Sequence, residues 1–229
     1  MGSKVKFRFS TTIPVRQERS AGALRVLRAA KQTFVQVGGS GFSARAVAKE
    51  AGITLGAVQH FFPTTETLLA AVLEFVVNEY ETAYEALFQK LPYNGEARLL
   101  GVVDILLASN WEPQTRQIFF GLYALACHNE YAAVLMDEMY DRHVQHLAAL
   151  IGGARPNLSE TRCFELALHI ASTLDGTMIF TGRKRKEGIT KATLRRIVRR
   201  GVLDLLDSTE PSANGAAAPT PAGARPRPA

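Results

Sequence analysis

Apolar residues recur at intervals of three and four along most of this chain, which is the spacing of one face of an α-helix. The first such stripe belongs to a helix expected to begin between residues 16 and 22, and it contains Ala23, Leu27, Ala30, Phe34 and Val37. No stretch shows the sustained alternation of apolar and polar residues that is typical of a half-buried strand. The pattern therefore predicts an all-α fold.

Two short helices are predicted next, joined by a turn of a few residues. Ser43 is suited to cap the first, and Gly52 can adopt the left-handed conformation that ends it. Thr54 is suited to cap the second, which Pro63 stops because its ring cannot continue a helix. Glycines at positions 38, 39 and 41 are expected to break the preceding helix. Two short helices packed on a third form the tri-helical unit that enters the DNA major groove, so the pattern predicts a helix-turn-helix near residues 43 to 62.

Six further helices complete a predicted total of about nine. A long fourth helix, from about Thr65 to Gln89, links the head to the body, and Pro113 occupies the first turn of the sixth, where proline is tolerated. The others are expected at about 96–108, 130–151 and 159–180 and from residue 190 onward. The expected domains are a basic arm (1–19), the helix-turn-helix domain (20–64), a helical body (65–207) and a disordered tail rich in Pro, Ala and Gly (208–229).

The composition is that of an ordinary globular protein, with 47% hydrophobic and 21% charged residues among 229. No run of about 18 apolar residues occurs, and the N-terminus lacks the apolar centre of a signal peptide. We therefore expect a cytoplasmic protein without membrane contact. The two cysteines, Cys127 and Cys163, have no Cys or His at zinc-ligand spacing, so we expect no metal site, no disulfide and no cofactor.

Charge is distributed unevenly along the chain. Residues 1–60 contain ten Lys or Arg and two acidic residues, residues 61–180 contain six and fifteen, and residues 181–206 contain nine and two. A basic N-terminal third on an acidic body indicates that one end of the molecule meets phosphate, although a solvated charged face has the same composition. A solvated loop is the preferred interpretation of the basic run Arg183, Lys184, Arg185 and Lys186.

Residues 25–72 read RVLRAAKQTFVQVGGSGFSARAVAKEAGITLGAVQHFFPTTETLLAAV, about a fifth of the chain. The segment contains a first helix with Ala-Ala and Phe, a Val-Ala dipeptide, Ala-Gly-Ile-Thr, a small residue after Gly, and an aromatic residue followed by the terminating Pro. In these features it resembles the N-terminal signature of TetR-family regulators. The resemblance implies a homodimeric repressor that binds palindromic double-stranded operator DNA.

By this resemblance, Arg45 and Lys49 lie near the DNA backbone or a base edge, and residues 54–60 form the recognition helix. The chain has Gln59 where the family usually has Tyr, and Thr65 where it usually has Lys. Both usual residues would hold phosphate, so that contact is either weaker here or transferred to the basic arm, whose residues are Lys4, Lys6, Arg8, Arg16 and Arg19. Gln59 can instead reach adenine in bidentate fashion. The expected DNA-binding residues are Arg45, Lys49, Thr54, Leu55, Gly56, Gln59, His60 and Thr65.

The same resemblance implies that residues 65–207 bind a small molecule and dimerise, with helices at 164–180 and 190–206 forming an interface across a two-fold axis. It also implies a ligand pocket in the body, although aromatic and Met residues at helical spacing fit ordinary core packing as well. The expected lining residues are Trp111, Phe119, Phe120, Tyr123, Met139, Tyr140, His143, His169, Asp175 and Met178.

The function expected from these observations is that of a DNA-binding transcriptional repressor, which a small, largely apolar effector releases from its operator. An enzyme is one alternative, but the sequence has no glycine-rich phosphate loop or nucleophile elbow, and the pair His143 and His146 lacks a third metal ligand. We therefore expect no catalysis. The other alternative is a helical architectural or protein-interaction module that binds DNA without sequence preference and has no effector.

Overall fold

The computed structural model describes residues 20–93, 95–181 and 190–208 of the chain. These residues form nine α-helices and no strand, which confirms the all-α fold and the number of helices expected. The basic arm (1–19), the basic run at 183–186 and residues 209–229 of the expected tail lie outside the described residues. The helices are α1 (Ala21–Gly41), α2 (Ala44–Ala51), α3 (Leu55–Phe61), α4 (Thr65–Phe88), α5 (Gly95–Asn110), α6 (Pro113–Ala126), α7 (Glu130–Ala154), α8 (Glu160–Thr181) and α9 (Lys191–Asp207).

The first helix, α1, is capped at its start and bent near its end. Ser20 Oγ accepts a hydrogen bond from the backbone N–H of Ala23 at 3.3 Å. The expected break at the glycines is a kink at Gly38, which has φ +67°, and one more helical segment then continues to the end of α1. Glycine adopts this left-handed backbone at little cost. Past the kink, Gly39 lies against α6, where a Cβ on it would be 3.2 Å from Leu125 Cδ1.

The short helices α2 and α3 begin with the caps expected from the sequence. Ser43 Oγ and Thr54 Oγ1 each accept a backbone N–H of their own helix at 3.2 Å. Gly52 ends α2 in the left-handed conformation, with φ +63° and ψ +38°. The Arg25 guanidinium on α1 donates to the carbonyl oxygen of Ala51 at 3.0 Å, which joins the end of α2 to α1. The two caps and the left-handed Gly52 set the geometry of the turn between the two short helices, and the Arg25 bond holds that turn against α1.

The fourth helix begins after Pro63 with a reciprocal capping arrangement. Thr64 Oγ1 accepts from the N–H of Thr67 at 3.1 Å, and Thr67 Oγ1 accepts from the N–H of Thr64 at 3.1 Å. Two backbone donors at the helix start are thereby satisfied. The helix continues for 24 residues from the head into the body, as expected for the connecting element.

Two hydrophobic cores hold the helices together. The first joins α1, α2 and α3 to α4, and it also includes Ile118 and Leu122 of α6 and Leu135 of α7. The second packs α5, α8 and α9 against the later part of α7 and Phe88 of α4. Since α4 and α7 belong to both cores, and α6 packs on the head, the head contacts the body through several helices rather than through α4 alone.

Polar contacts join both α8 and α9 to α5. Asn110 is buried at the end of α5, and its Nδ2 donates to the carbonyl oxygen of Leu174 at 2.9 Å. Asp104 of α5 accepts from Arg195 Nε at 2.8 Å and from Arg199 Nη1 at 2.5 Å, which attaches α9 to the same helix. The Asn110 bond thus joins α8 to α5, and the Asp104 ion pairs join α9 to α5.

In the described part of the chain, no single helix is long and apolar enough to cross a membrane; α3 and α4 reach the required length and composition only when combined across a 67° bend. The same part contains no group of three or more His, Cys, Asp or Glu residues that could hold a metal ion. Cys163 is buried, Cys127 is exposed, and both are free thiols.

Candidate nucleic-acid interface and body cavity

The head surface is the outward side of α2 and α3, defined by the exposed residues Arg45, Lys49, Thr54, Gly56, Gln59 and His60. The opposite sides of both helices are sealed in the first core, where Val47 and Val58 are fully buried. The other two expected DNA-binding residues, Leu55 and Thr65, are half-buried. The two short helices thus present polar and basic groups on one side, and their other side is an apolar face packed on the first core.

The Thr54 hydroxyl has a free donor as well as a structural role. Its oxygen accepts the N–H of Ala57 at 3.2 Å and so caps α3. A hydroxyl can donate one hydrogen bond while accepting another, and the side chain is exposed. Thr54 can therefore donate to a phosphate oxygen without giving up the cap.

Gly56 leaves the exposed face of α3 without a side chain at this position. No atom lies within 4 Å of the position that a Cβ on this glycine would occupy. A helix that lacks a side chain on its outward side lets another backbone or a base edge approach closely. This position therefore suits close contact with DNA.

The last two residues of α3 have different surroundings. Phe61 is half-buried, and its ring fits so closely against α1 that a Cβ on Gly22 would lie 2.6 Å from its Cζ atom. His60 is exposed, and its ring meets the Phe61 ring edge-on with 5.0 Å between centroids. Phe61 therefore belongs to the packing of the head and His60 to the head surface.

A cavity of about 90 Å³ lies inside the body between α4, α5, α6, α7 and α8. Six of the ten residues expected to line a pocket border this space, and they come from three different helices. They are Phe119, Met139, Tyr140, His143, Asp175 and Met178. The fold therefore brings together side chains that are up to 59 positions apart in the sequence.

The other four expected lining residues lie outside this cavity. Tyr123 is at its edge, where its hydroxyl hydrogen bonds to that of Tyr140. Trp111 is buried but does not border the space. Phe120 is 45% exposed, and His169 is also exposed, so both side chains lie at the surface.

One wall of the cavity, formed by α4, was missed in the sequence analysis. Tyr80, Glu81, Tyr84 and Phe88 all border the space. Tyr80, Tyr84 and Phe88 are four residues apart and so share one helix face, which is the signal by which this wall could have been found. The rings of Tyr84 and Phe88 are stacked with 5.9 Å between centroids.

A hydroxyl and carboxyl cluster lies at the α8 wall. The Tyr123 hydroxyl lies 3.4 Å from Asp175 Oδ2, and the Tyr140 hydroxyl lies within hydrogen-bond distance of both Asp175 and Tyr123, so the two hydroxyl protons are shared among these three contacts. Burial raises the pKa of Asp175 above its ordinary value, while the two hydroxyl donors lower it. Burial raises the pKa of Tyr123 to about 12 and also raises that of Tyr140. The tyrosines are therefore neutral hydrogen-bond donors at pH 7.

The other ionisable groups that border the cavity carry little net charge. Burial lowers the pKa of both His143 and His146 to about 4, so the two imidazoles are neutral at pH 7. Arg142 donates from Nη2 and Nε to Glu81 Oε1 at 2.8 and 3.0 Å, and this ion pair cancels both charges. Among the described residues around the cavity, Asp175 is left as the acid without an opposite charge.

The two short helices α2 and α3, joined by a tight turn and packed on α1, have the arrangement of a helix-turn-helix unit. Residues 26–72 match the family model for bacterial regulatory proteins of the tetR family. A 52-residue stretch is 40% identical to the HTH-type transcriptional regulator PksA of Bacillus subtilis (strain 168); it covers 23% of this chain and 25% of that protein. The chain thus matches about a quarter of this curated relative, and the family model matches the part of the chain that contains α2 and α3.

Solved structures resemble the complete fold. A putative transcriptional regulator from Pseudomonas aeruginosa PAO1 has a TM-score of 0.70 at 16% identity, covering 80% of this chain and 89% of that one. A putative regulator from Saccharomonospora viridis in complex with choline has 0.69 at 19%, covering 81% and 97%. A putative TetR-family regulator from Mesorhizobium loti has 0.67 at 19%, covering 82% and 98%. The body therefore has the fold of solved TetR-family regulators, as the resemblance of the head indicated.

Proposed function

We propose that this chain is a sequence-specific transcriptional repressor, which binds palindromic operator DNA as a homodimer and is released by a small, largely apolar effector. The observation that carries the proposal is the head surface. Its polar residues are exposed, while the opposite faces of α2 and α3 are buried in the first core. No catalytic role is proposed.

In the proposed complex, α3 enters the major groove and α2 lies across the DNA backbone. Arg45 and Lys49 neutralise phosphates, and the hydroxyl of Thr54 donates to a phosphate oxygen. The Gln59 amide offers the donor and acceptor that pair with adenine N7 and N6. Phosphate contacts then set the position of the head, and Gln59 together with His60 contributes the reading of sequence.

Dimerisation through α8 and α9 supplies the second head. These two helices expose large apolar side chains: Phe164 is 50% exposed, Leu168 51%, Ile179 65% and Ile197 55%. A monomer seldom exposes a patch of this kind, and a two-fold interface would cover the same patch on both chains. Cβ atoms on Gly176 and Gly201 would meet open space, so a partner helix can approach both helices closely.

The effector part of the proposal rests on the body cavity. Its volume of about 90 Å³ is below the roughly 300 to 1,000 Å³ of ordinary ligand pockets, so a ligand must displace the surrounding helices. Both α4 and α6 border the cavity and pack on the head, so their displacement would change the spacing of the two heads. A small-molecule ligand also agrees with the choline complex of the regulator from Saccharomonospora viridis.

Selection from a random-sequence DNA pool, followed by footprinting, tests the DNA-binding part. We expect one palindromic sequence, with protected half-sites about 34 Å apart. Gln59→Ala should weaken binding by about 1 to 3 kcal/mol at the contacted base pair, while Lys90→Ala, which changes an exposed lysine on the body, should have no effect. Binding without any preferred sequence would favour the architectural alternative instead.

A further inference from the structure

The carboxylate of Asp175 borders the body cavity without a cationic partner. Its hydrogen-bond donors are the hydroxyls of Tyr123 and Tyr140, which are neutral. Among the residues that the structure describes, no Lys or Arg lies within ion-pair distance of it. The Asp175 side chain is half-buried, and a carboxylate withdrawn from water gains most from a positive charge placed directly beside it.

The charges nearby do not supply that positive charge. Arg142 is bound to Glu81 at 2.8 Å, and Glu138 lies 4.0 Å from it, so two carboxylates already share this guanidinium. The side chains of Arg142 and Glu81 are only 14% and 18% exposed, which limits screening of the pair by water. The cavity therefore has an excess of negative charge, which disfavours an anionic ligand.

Aromatic rings form much of the remaining lining. Tyr80, Tyr84 and Phe88 come from α4, and Phe119 and Tyr140 come from α6 and α7. The rings of Tyr80 and Phe119 are tilted against each other with 5.4 Å between centroids. The π face of an aromatic ring attracts a cation within about 6 Å, and rings grouped around a carboxylate suit an alkylated ammonium group.

We propose that the body cavity binds a compact organic cation of the alkylammonium type, with its charge beside Asp175 and its alkyl groups against the aromatic rings. This inference rests on the effector function proposed above and names the chemical class of that effector. The small volume favours a compact head group. A neutral apolar ligand of equal size would leave the half-buried carboxylate uncompensated, and a metal ion would lack ligands, since Asp175 belongs to no cluster of three metal-binding side chains among the described residues.

Titration calorimetry on the full chain, with a matched pair of probes, tests this inference. Choline and 3,3-dimethylbutan-1-ol have the same shape, but only choline is charged. We expect choline to bind at least ten-fold more tightly, which corresponds to about 1.4 kcal/mol. In Asp175→Asn this preference should vanish, while Asp137→Asn, which changes an exposed aspartate on α7, should retain it.

A second variant addresses the aromatic wall. Phe119→Leu keeps an apolar side chain but removes the aromatic ring. It should therefore weaken the binding of choline several-fold and leave the binding of the neutral alcohol unchanged. Thermal unfolding of each variant establishes that it is folded. Equal binding of both probes to the parent protein, a choline preference that persists in Asp175→Asn, or no binding of either choline or tetramethylammonium would each overturn the inference.

The same experiments separate this inference from the effector function on which it rests. A set of neutral apolar compounds is assayed in parallel for release of operator DNA. If neutral compounds release DNA and the ammonium probes do not bind, the cation class is wrong and the effector function stands. If neither class binds or releases DNA, both proposals fail.

Discussion

At the scale of single residues, Gly56 offers the sharpest test of the head surface. Replacement by Ala should raise the free energy of unfolding by roughly 0.5 to 1 kcal/mol, because glycine weakens a helix and the added methyl meets no atom. Replacement by Leu should leave folding intact but reduce operator affinity at least about ten-fold, because its side chain stands between α3 and the DNA. Fluorescence anisotropy and thermal unfolding measure the two effects.

The control for this substitution is Gly153→Leu. Gly153 lies in α7, away from the head, and a Cβ there also meets open space. It should leave DNA binding unchanged. Wild-type affinity in Gly56→Leu would remove α3 from the proposed interface.

The charge of Asp175 makes a second residue-scale prediction, which concerns pH. Burial holds the pKa of Asp175 above its ordinary value in the free protein, and a bound cation lowers it. The affinity for choline should therefore be full above the pKa of the free carboxyl and be lost as the pH falls through it. Protonation of His143 and His146, at about pH 4, acts in the same direction.

Calorimetry at several pH values checks this expectation. The other ionisable groups that face the site are Tyr80, Glu81 and Tyr84 of α4, Tyr123 of α6, and Tyr140 and Arg142 of α7. In Asp175→Asn the affinity for choline should be low and independent of pH between roughly pH 5 and 8, where the histidines stay neutral. An affinity of the parent protein for choline that rises on acidification would contradict the placement of the cation beside Asp175.

At the scale of helices, local signals were readable from the sequence. Ser43, Gly52 and Thr54 act within one turn of their own helix, so their caps and the bounds of α2 and α3 could be predicted. The expected end of α7 at Ile151 is too early, since the helix continues through two glycines to Ala154. Ile151 is fully buried, and its packing outweighs the weak helix propensity of those glycines.

The cavity was less predictable because its walls depend on how five helices pack. Phe119, Tyr140 and Asp175 were identified from the aromatic and polar residues of the body, but a list of such residues cannot show which of them share a cavity. Phe120 follows Phe119 directly in the chain, yet it faces water because adjacent residues in a helix point in different directions. The α4 wall depends on the rotation of that helix, which tertiary packing sets.

The contact between α6 and α1 gives a prediction at the same scale. Leu125 packs on Gly39 of α1, and α6 also carries Phe119 at the cavity, so α6 can transmit a displacement to the head. We expect Leu125→Ala to reduce the coupling between effector and operator by about 0.5 to 2 kcal/mol, with operator affinity retained when no effector is present. DNA release is measured against effector concentration.

Leu87→Ala is the matched control, because Leu87 is 40% exposed and lies in the last turn of α4. It should leave the coupling unchanged. A normal effector response in Leu125→Ala would mean that the displacement reaches the head through α4 and not through α6.

At the scale of the whole molecule, the exposed faces of α8 and α9 predict a dimer that can be broken without unfolding the chain. Gly201→Leu adds bulk where no atom lies nearby, so the monomer should keep its thermal stability while the partner helix is pushed away. Sedimentation at micromolar concentration should change from dimer to monomer. A Gly201→Leu protein that remains dimeric would place the interface elsewhere.

The ratio of operator affinity to scrambled-DNA affinity tests the central claim, that a dimer of this chain reads a specific sequence through its head surface. Measured at physiological salt, the ratio should be about 10³ or more for the parent protein. It should fall towards one in Gly56→Leu, and the monomeric Gly201→Leu protein should lose most of it because a single head reads only one half-site. A ratio near one for the parent protein, or an unchanged ratio in both variants, would contradict the account.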